Sequence, residues 1–304
     1  ALKILRNEID HKRIVTNAFD RSSIGLYDDI YSTPGPKKFY VVKDVLEKFT
    51  SKVGQFVEVM DIEEFGHALF IDHEIQVAEK DLISLQEAGV DAVMFGNEND
   101  RPYQLTVDTA STAAAAYIIG ELKREIKIPF GVDMLWDPMA TIALGTATKA
   151  NFVREIFTGT YSSDMGIWAP NAGEALRYKQ NLGSEEMLLL FNISAEFAYS
   201  QDRRPLTDRA RSIVFSSLPD AILVSGQITG EAASMNDLMS VKKALPHTPV
   251  LANTGVKHDT VIQVLKTADG CIVGSSLKED GNTWKPVDPK RARDFMNIVS
   301  KFRK

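Results

Sequence analysis

The sequence predicts a (β/α)8 barrel, or TIM barrel, with an amino-terminal extension. Three observations predict this α/β fold: a length of 304 residues, an alternation of short apolar runs with amphipathic segments, and motifs that recur where the runs begin. A barrel of this kind occupies about 250 residues, so the chain can hold one barrel and an extension. A strand–helix alternation over such a length is typical of a parallel sheet.

The apolar runs are continuous, as strands are when a parallel sheet buries both of their faces. Seven runs have clear boundaries: Val90–Phe95, Pro129–Trp136, Phe152–Phe157, Met187–Ile193, Ala221–Ser225, Pro249–Asn253 and Gly270–Val273. Counting Gln55–Met60 as the first strand gives eight strands. Eight parallel strands favour a closed barrel over an open sheet.

The amphipathic segments between the runs are predicted to be helices. They are Ile75–Glu87, Thr109–Ile126, Met139–Thr148, Thr207–Ser217, Asn236–Ala244, Asp259–Lys266 and Pro289–Lys301. Asp108 and Asp259 are placed to cap helices, and Pro289 suits a first helical turn. Residues 1–52 do not join the alternation, so we predict an extension over 1–52 and a barrel over 53–304. The extension either covers the barrel's end, makes a subunit contact or is a loosely attached arm.

Two kinds of strand entry recur along the chain. Asp91, Asp220 and Asp269 each precede a small residue and an apolar run, at the turn where a helix leads into a strand. Pro129 and Pro249 instead start their strands, a position that tolerates proline. This regularity favours a barrel built from repeated units.

Charge and composition limit the classes of partner. The formal net charge of −6 gives no support for nucleic acid as a partner, because phosphate backbones bind clustered positive charge. No apolar run approaches the roughly 20 residues that span a membrane, and the first residues do not resemble a secretory signal, so we expect a cytoplasmic protein. Cys271 is the single cysteine, which excludes an intramolecular disulfide.

Polar residues stand where several predicted strands end, and barrel enzymes carry their sites there. A carboxylate in a buried strand is costly unless it is paired or binds a cation. One interpretation places the carboxylates around a substrate as acid, base or cation ligand, with two asparagines orienting hydroxyl groups; a divalent cation is allowed but not required. The predicted catalytic residues are Asp133, Glu155, Glu196, Asn97 and Asn192. The alternative is an internal Arg154–Glu155 or Asp133–Arg154 network that only holds the barrel together. Asp137 would then simply cap the helix that follows it.

The loops after the last three predicted strands are rich in Gly, Ser and Thr. Many barrels bind a phosphate there, because glycine lets backbone N–H groups approach the anion and hydroxyls add donors. The predicted phosphate-binding residues are Ser225, Gly226, Thr229, Gly230, Thr254, Gly255, Gly274 and Ser275. The same residue types also suit an ordinary barrel loop.

Several long motifs resemble the BtpA/SgcQ family, in particular its SgcQ-like branch. They are Gly89–Tyr103, Ile128–Ala140, Phe152–Trp168, Leu189–Glu196, Asp220–Gly230 and Val250–Val256. The resemblance covers about Ile75 to the C-terminus. It implies a barrel related to those that bind ribulose phosphate and similar sugars. The family's links to sugar-utilisation genes and to photosystem I accumulation define no reaction.

The chain departs from that family at the first predicted strand. The family usually has a His-Leu segment followed by a Pro-Gly loop, whereas this chain reads Val57-Glu58-Val59-Met60-Asp61-Ile62-Glu63-Glu64-Phe65-Gly66. If the family's histidine takes part in catalysis, Glu58 or Asp61 replaces it, or the substrate differs, or activity is absent.

The sequence therefore favours an enzyme that acts on a phosphorylated sugar or a similar small phosphate ester. Carboxylate acid/base chemistry would make it an isomerase, an epimerase or a lyase of sugar metabolism. The alternative is a non-catalytic accessory or assembly factor, or a module that binds phosphosugars without turnover. Barrels of this kind often form homo-oligomers, but nothing in the sequence identifies an interface.

Overall fold

The computed structural model of the protein describes residues 68–98 and 100–303. The chain divides into two compact units, Ala1–His73 and Glu74–Lys304. The predicted boundary at residue 52 and the predicted strand Gln55–Met60 lie outside the described residues. So does the segment at 57–66 in which the chain departs from the BtpA/SgcQ pattern.

The strands fall into a parallel sheet and a smaller antiparallel one. In chain order they are β1 (Val93–Gly96), β2 (Phe130–Asp133), β3 (Phe152–Glu155), β4 (Tyr161–Ser163), β5 (Gly166–Trp168), β6 (Leu188–Asn192), β7 (Ala198–Ser200), β8 (Ala221–Val224), β9 (Val250–Ala252) and β10 (Gly270–Cys271). The parallel sheet has the order β1-β2-β3-β6-β8-β9-β10. All seven strands predicted with clear boundaries are confirmed, and each pairs with the next one along the chain, as in a barrel.

Helices connect successive parallel strands. They are α1 (Ala68–Ala88), α2 (Thr109–Leu122), α3 (Pro138–Thr148), α4 (Ala172–Asn181), α5 (Leu206–Ser217), α6 (Met235–Ala244), α7 (Val261–Thr267) and α8 (Pro289–Arg303). The sequence predicted all of these except α4, whose buried residues are the small side chains Ala172 and Ala175. With the strand order, the alternation confirms the predicted α/β barrel fold.

The caps at the helix starts test three of the predictions. The Asp108 side chain accepts hydrogen bonds from two backbone N–H groups at the start of α2, so it caps that helix as predicted. Asp137 caps α3 in the same way. The cap at Asp259 is wrong, because α7 begins at Val261 and the turn that precedes it is held by a hydrogen bond from the Lys257 N–H to the Thr260 hydroxyl.

The core of the barrel lies between the sheet and the helices. The rings of Phe157 and Phe191 stack at its centre, with centroids 4.5 Å apart. A second hydrophobic cluster lies beyond the carboxyl ends of β2, β3 and β6. There β4 pairs with β5 and β7, and Tyr161 stacks on Trp168 with ring centroids 4.6 Å apart. The sequence did not predict this three-stranded sheet, which covers one side of the barrel's end.

Two of the recurring aspartates tie neighbouring strands together. The Asp220 carboxylate, before β8, accepts a hydrogen bond of 2.7 Å from the backbone N–H of Leu189 in β6. The Asp269 carboxylate, before β10, accepts one of 2.8 Å from the N–H of Val250 in β9. Asp91 forms an ion pair with Arg303 instead. The strand-entry motif thus has a physical role at two of its three positions, where it sets the register between adjacent strands.

Replacing Asp220 by alanine tests this role. We expect Asp220→Ala to lower the free energy of unfolding by about 1–3 kcal/mol, because the Leu189 N–H loses its partner in a partly buried position. Asp220→Asn keeps a side-chain acceptor and should retain most of the stability. Urea unfolding of both variants measures the difference, and equal stabilities would show that the hydrogen bond does not support the sheet.

Candidate functional site

A buried arginine lies at the centre of the polar cluster at the carboxyl ends of the strands. Arg154, in β3, forms ion pairs with Asp133 at the end of β2 and with Glu196 after β6. The second pair has an N–O distance of 2.8 Å. Asp133 is only 1% exposed and Glu196 6%. Two predicted catalytic carboxylates therefore meet on one guanidinium group, which also realises the Asp133–Arg154 contact of the alternative, structural interpretation.

Hydrogen bonds surround the Glu196 carboxylate. Its Oε1 atom accepts hydrogen bonds from the Ser225 hydroxyl and the Asn253 amide, both at 3.1 Å. Its Oε2 atom accepts a longer one, of 3.4 Å, from the Thr229 hydroxyl. Asn253 also donates to Ser225 at 2.8 Å. Glu196 is thus held from β3, β8 and β9, and its orientation is fixed before any ligand binds.

Glu155 follows Arg154 but points to the other face of β3, as successive residues of a strand do. Both of its carboxylate oxygens accept hydrogen bonds from the backbone N–H of Trp136, at 3.1 and 3.2 Å. Trp136 has a left-handed backbone, with φ of 71°. Glu155 therefore holds this strained turn in place, and the predicted Arg154–Glu155 contact of the structural network is absent.

Burial and neighbouring charges shift the proton affinities in this cluster. Burial raises the pKa of Asp133 to about 6, although Arg154 opposes the shift. Burial also raises the pKa of Glu155 well above its usual range, and the charge of Asp133 adds to this. Burial disfavours the charged form of Arg154, but Asp133 and Glu196 outweigh it and raise the pKa of that guanidinium. Carboxyl groups with raised pKa values are common at acid/base sites.

The raised pKa of Asp133 predicts a pH-dependent stability. Between about pH 4 and pH 6 the unfolded chain releases this proton while the folded chain keeps it. The free energy of unfolding therefore falls as the pH rises through this range. We expect Asp133→Asn to remove this fall of the free energy of unfolding with pH. Urea unfolding at pH 4, 5, 6 and 7 measures it. If the free energy of unfolding changes with pH in the same way in the wild type and in Asp133→Asn, the raised pKa of Asp133 is contradicted.

The two predicted asparagines have different surroundings. Asn97 accepts a hydrogen bond of 2.8 Å from the Leu135 N–H and so links the loops after β1 and β2. Asn192, at the end of β6, accepts one of 3.0 Å from the Ser194 N–H. The amide nitrogen of Asn192 is buried and has no hydrogen-bond partner among the described residues. Asn192 thus offers a free donor, whereas both ends of the Asn97 amide are engaged.

A small cavity separates the charged cluster from the second hydrophobic cluster. Its lining has a polar side, which includes Arg154, Asn192 and Glu196, and an aromatic side formed by Tyr103, Trp136 and Phe197. The Phe197 ring lies 6.1 Å from the rings of both Tyr103 and Trp136. Phe197, like Trp136, has a left-handed backbone, with φ of 53°. Strained backbone of this kind is concentrated at functional sites.

Glu98 belongs to this site and was missed by sequence reasoning, which selected its neighbour Asn97. Glu98 follows β1 and lines the small cavity. The Tyr103 hydroxyl donates a hydrogen bond of 3.0 Å to its backbone carbonyl. Burial raises the pKa of its carboxyl group, and Arg154 partly offsets the shift. The only signal in the sequence was the density of polar residues between Gly96 and Tyr103.

The predicted phosphate-binding residues divide into three groups. Ser225 and Thr229 bond to Glu196 and so belong to the charged cluster. The Gly226 N–H donates to the Thr254 hydroxyl at 2.6 Å, and Gly255 packs against the backbone of Ala232, so these residues join the loops after β8 and β9. The remaining residues, Gly230, Gly274 and Ser275, lie in the loops after β8 and β10.

The third group comes together from two loops. A Cβ atom on Gly230 would lie 3.7 Å from the Ser275 hydroxyl. That hydroxyl also shares a hydrogen bond of 2.6 Å with Thr283. The loops after β8 and β10 thus approach each other as a phosphate site at these positions would require, and phosphate binding itself stays a prediction.

Residues 68–98 and 100–303 contain neither a cluster of metal-ligating side chains nor a membrane-spanning helix. Within these ranges no group of three or more His, Cys, Asp or Glu side chains is arranged to hold a metal ion. The divalent cation that the sequence left open stays a prediction for binding experiments. No helix in the same ranges is long and apolar enough to cross a membrane.

Comparison with known proteins identifies the family. The model of the BtpA family matches residues 63–301, which include every site residue described above. The chain belongs to the BtpA family. The predicted resemblance is thereby confirmed, and the match begins after the predicted strand Gln55–Met60.

Relatives agree with this membership of the BtpA family, and a solved structure shares the fold. The sgc region protein SgcQ of Escherichia coli (strain K12) is 45% identical over 240 residues, covering 79% of this chain and 90% of SgcQ. The photosystem I biogenesis protein BtpA of Synechocystis sp. (strain PCC 6803) is 31% identical, over 74% of this chain and 79% of that protein. The crystal structure of phosphoribosyl anthranilate isomerase from Thermus thermophilus has a TM-score of 0.50 at 12% identity, covering 73% of this chain and 94% of the isomerase. The last likeness concerns the fold alone, and it supports the barrel.

Proposed function

We propose that this BtpA-family protein is an enzyme that moves a proton on a phosphorylated sugar or a similar small phosphate ester. The observation that carries the proposal is the cluster of Asp133, Arg154 and Glu196 at the carboxyl ends of the strands, where barrel enzymes bind their substrates. A structural ion pair would need one carboxylate. A buried arginine between two carboxylates, beside a cavity with a free Asn192 donor, is better suited to a polar ligand.

The reaction class follows from the chemistry of these groups. Arg154 and the Asn192 amide can stabilise negative charge that develops on a carbonyl oxygen. A carboxyl group with a raised pKa exchanges its proton at a higher pH than an ordinary carboxyl group, and Glu98 is such a group at the edge of the cavity. Together these groups suit isomerisation, epimerisation or a lyase reaction that passes through an enolate. The phosphate would be held by the loops after β8 and β10, at Gly230, Gly274 and Ser275.

Exchange of substrate protons with solvent tests this function without knowledge of the product. The protein is incubated in D2O with a panel of ketose and aldose phosphates, and NMR follows the proton on the carbon beside the carbonyl. We expect at least one sugar phosphate to lose this proton signal faster with the protein than without it. Absence of exchange across the panel would contradict the proposal.

An accessory role is the second candidate, and one observation favours it. Ile167 and Tyr199 are 77% and 74% exposed, and both lie opposite Ser162 in the small sheet, so they project from one face. Exposed apolar pairs of this kind suit a protein partner. This candidate predicts that Ile167→Asp abolishes partner binding, whereas changes at Asp133 and Glu196 act only through folding.

A further inference from the structure

Four carboxylates surround Arg154, and three of them are already engaged. Asp133 forms an ion pair with Arg154 and is only 1% exposed. Glu196 contacts Arg154 and accepts hydrogen bonds from three further side chains. Glu155 accepts the Trp136 N–H on the other face of β3. A general base needs an acceptor oxygen within reach of the substrate. Asp133 keeps one oxygen without a partner but is enclosed, Glu155 is held by the Trp136 N–H, and Glu196 is held by four side chains, so these three groups are less available than a carboxylate without such contacts.

The fourth carboxylate is Glu98. No described residue donates a hydrogen bond to its carboxylate or forms an ion pair with it, although its backbone carbonyl is fixed by Tyr103. The side chain is half-buried rather than enclosed. It lines the small cavity beside Arg154, together with Asn192. A substrate with its carbonyl near Arg154 would lie beside Glu98.

We propose that Glu98 is the catalytic base that takes the proton from the carbon beside the substrate carbonyl. This inference rests on the proposed function and names the residue that performs its central step. The C–H bond breaks, its proton goes to a Glu98 oxygen, and its electron pair forms the C=C bond of an enolate. The carbonyl oxygen becomes the enolate oxygen and is stabilised by Arg154 and the Asn192 amide. The proton of the hydroxyl on the deprotonated carbon then moves to the enolate oxygen, and Glu98 returns its own proton to the former carbonyl carbon, which completes an isomerisation.

The groups that face Glu98 set the pH at which it can act. They are Arg154 from β3, Glu196 from the segment after β6, Lys278 from the segment after β10, Asp133 at the end of β2 and Tyr103 from the segment after β1. Burial raises the pKa of Glu98, Arg154 and Lys278 lower it, and Glu196 raises it, with a net upward shift. Below this pKa the carboxyl group holds its proton and cannot accept another. The exchange rate should therefore rise with pH, and the rise should occur above the ordinary range of a glutamate.

The experiment compares Glu98→Gln with the wild-type protein in the solvent-exchange assay. General acid–base catalysis contributes about 100- to 10,000-fold, so we expect a loss of exchange of that size. Glutamine preserves the size of the side chain, so the sugar phosphate should still raise the melting temperature of the variant. Glu121→Gln, at an exposed position on α2, is the matched control and should exchange like the wild type.

Three further results decide the role of Glu98. Glu98→Asp keeps a carboxylate and should retain part of the exchange, with a shifted pH profile; it replaces Glu98→Gln if that variant does not fold. Wild-type rates in Glu98→Gln would overturn the role of Glu98 and leave the proposed function intact. Absence of exchange in the wild type would overturn both.

Discussion

Replacing Arg154 by methionine is expected to lower the free energy of unfolding at pH 8 by about 3–5 kcal/mol. The substitution leaves Asp133 and Glu196 buried and close together without the cation that separates them. Such carboxylates must either stay charged at high cost or bind protons. The loss of free energy of unfolding should therefore be smaller at pH 5 than at pH 8. Urea unfolding at the two pH values measures both effects.

Two further variants separate the charge of Arg154 from its shape. Arg154→Met combined with Asp133→Asn and Glu196→Gln removes all three charges, so it should regain most of the lost stability. Arg154→Lys keeps a cation but cannot offer two parallel N–H groups, and it should lose ligand binding more than stability. If Arg154→Met were as stable as the wild type at pH 8, the two ion pairs would not exist in solution.

Replacing Gly255 by alanine is expected to disrupt the end of the barrel where the phosphate site is proposed. Gly255 has φ of +65°, and a Cβ atom there would lie 2.2 Å from the backbone nitrogen of Ala232. A left-handed backbone alone costs a non-glycine residue about 1–3 kcal/mol, and the contact with Ala232 adds to this. The variant should unfold at lower urea concentration and should lose the stabilisation that sugar phosphates give.

Gly274→Ala is the matched control for this prediction. Gly274 lies in the loop after β10, has φ of −120° and would have no atom within 4 Å of an added Cβ. The added Cβ does not disturb the packing of the loop, so the stability of Gly274→Ala should resemble that of the wild type. Equal stability of the two alanine variants would show that the loops after β8 and β9 are not packed as described.

The sequence was sufficient to predict the parallel strands and the position of the polar cluster at their carboxyl ends. Continuous apolar runs identify buried strands without knowledge of their partners, and Asp133 and Glu196 stand where these runs end. The small sheet was not predictable in this way. Its strands have three residues each, and Tyr161 and Ser200 pair from positions far apart in the chain.

Glu98 and Ser225 show why individual site residues were harder to predict. Which polar residue after β1 faces the substrate depends on the turn that the Tyr103 hydroxyl stabilises, and a sequence pattern does not contain this geometry. Ser225 was predicted to bind phosphate because it forms a Ser-Gly pair with Gly226 after a strand. The pairing of β6 with β8 instead brings it beside Glu196, to which it donates a hydrogen bond.

A thermal-shift comparison of the wild type with Ser275→Asp tests the proposed phosphosugar site most directly. The proteins are heated with inorganic phosphate, with ketose and aldose phosphates, and with the same sugars lacking phosphate. A ligand at 100 times its Kd stabilises the folded state by about 2.7 kcal/mol. We predict that a sugar phosphate raises the melting temperature of the wild type, that the unphosphorylated sugar does not, and that Ser275→Asp loses the shift. If no phosphate compound raises the melting temperature of the wild type, or if Ser275→Asp keeps the full shift, the proposed phosphate site is contradicted.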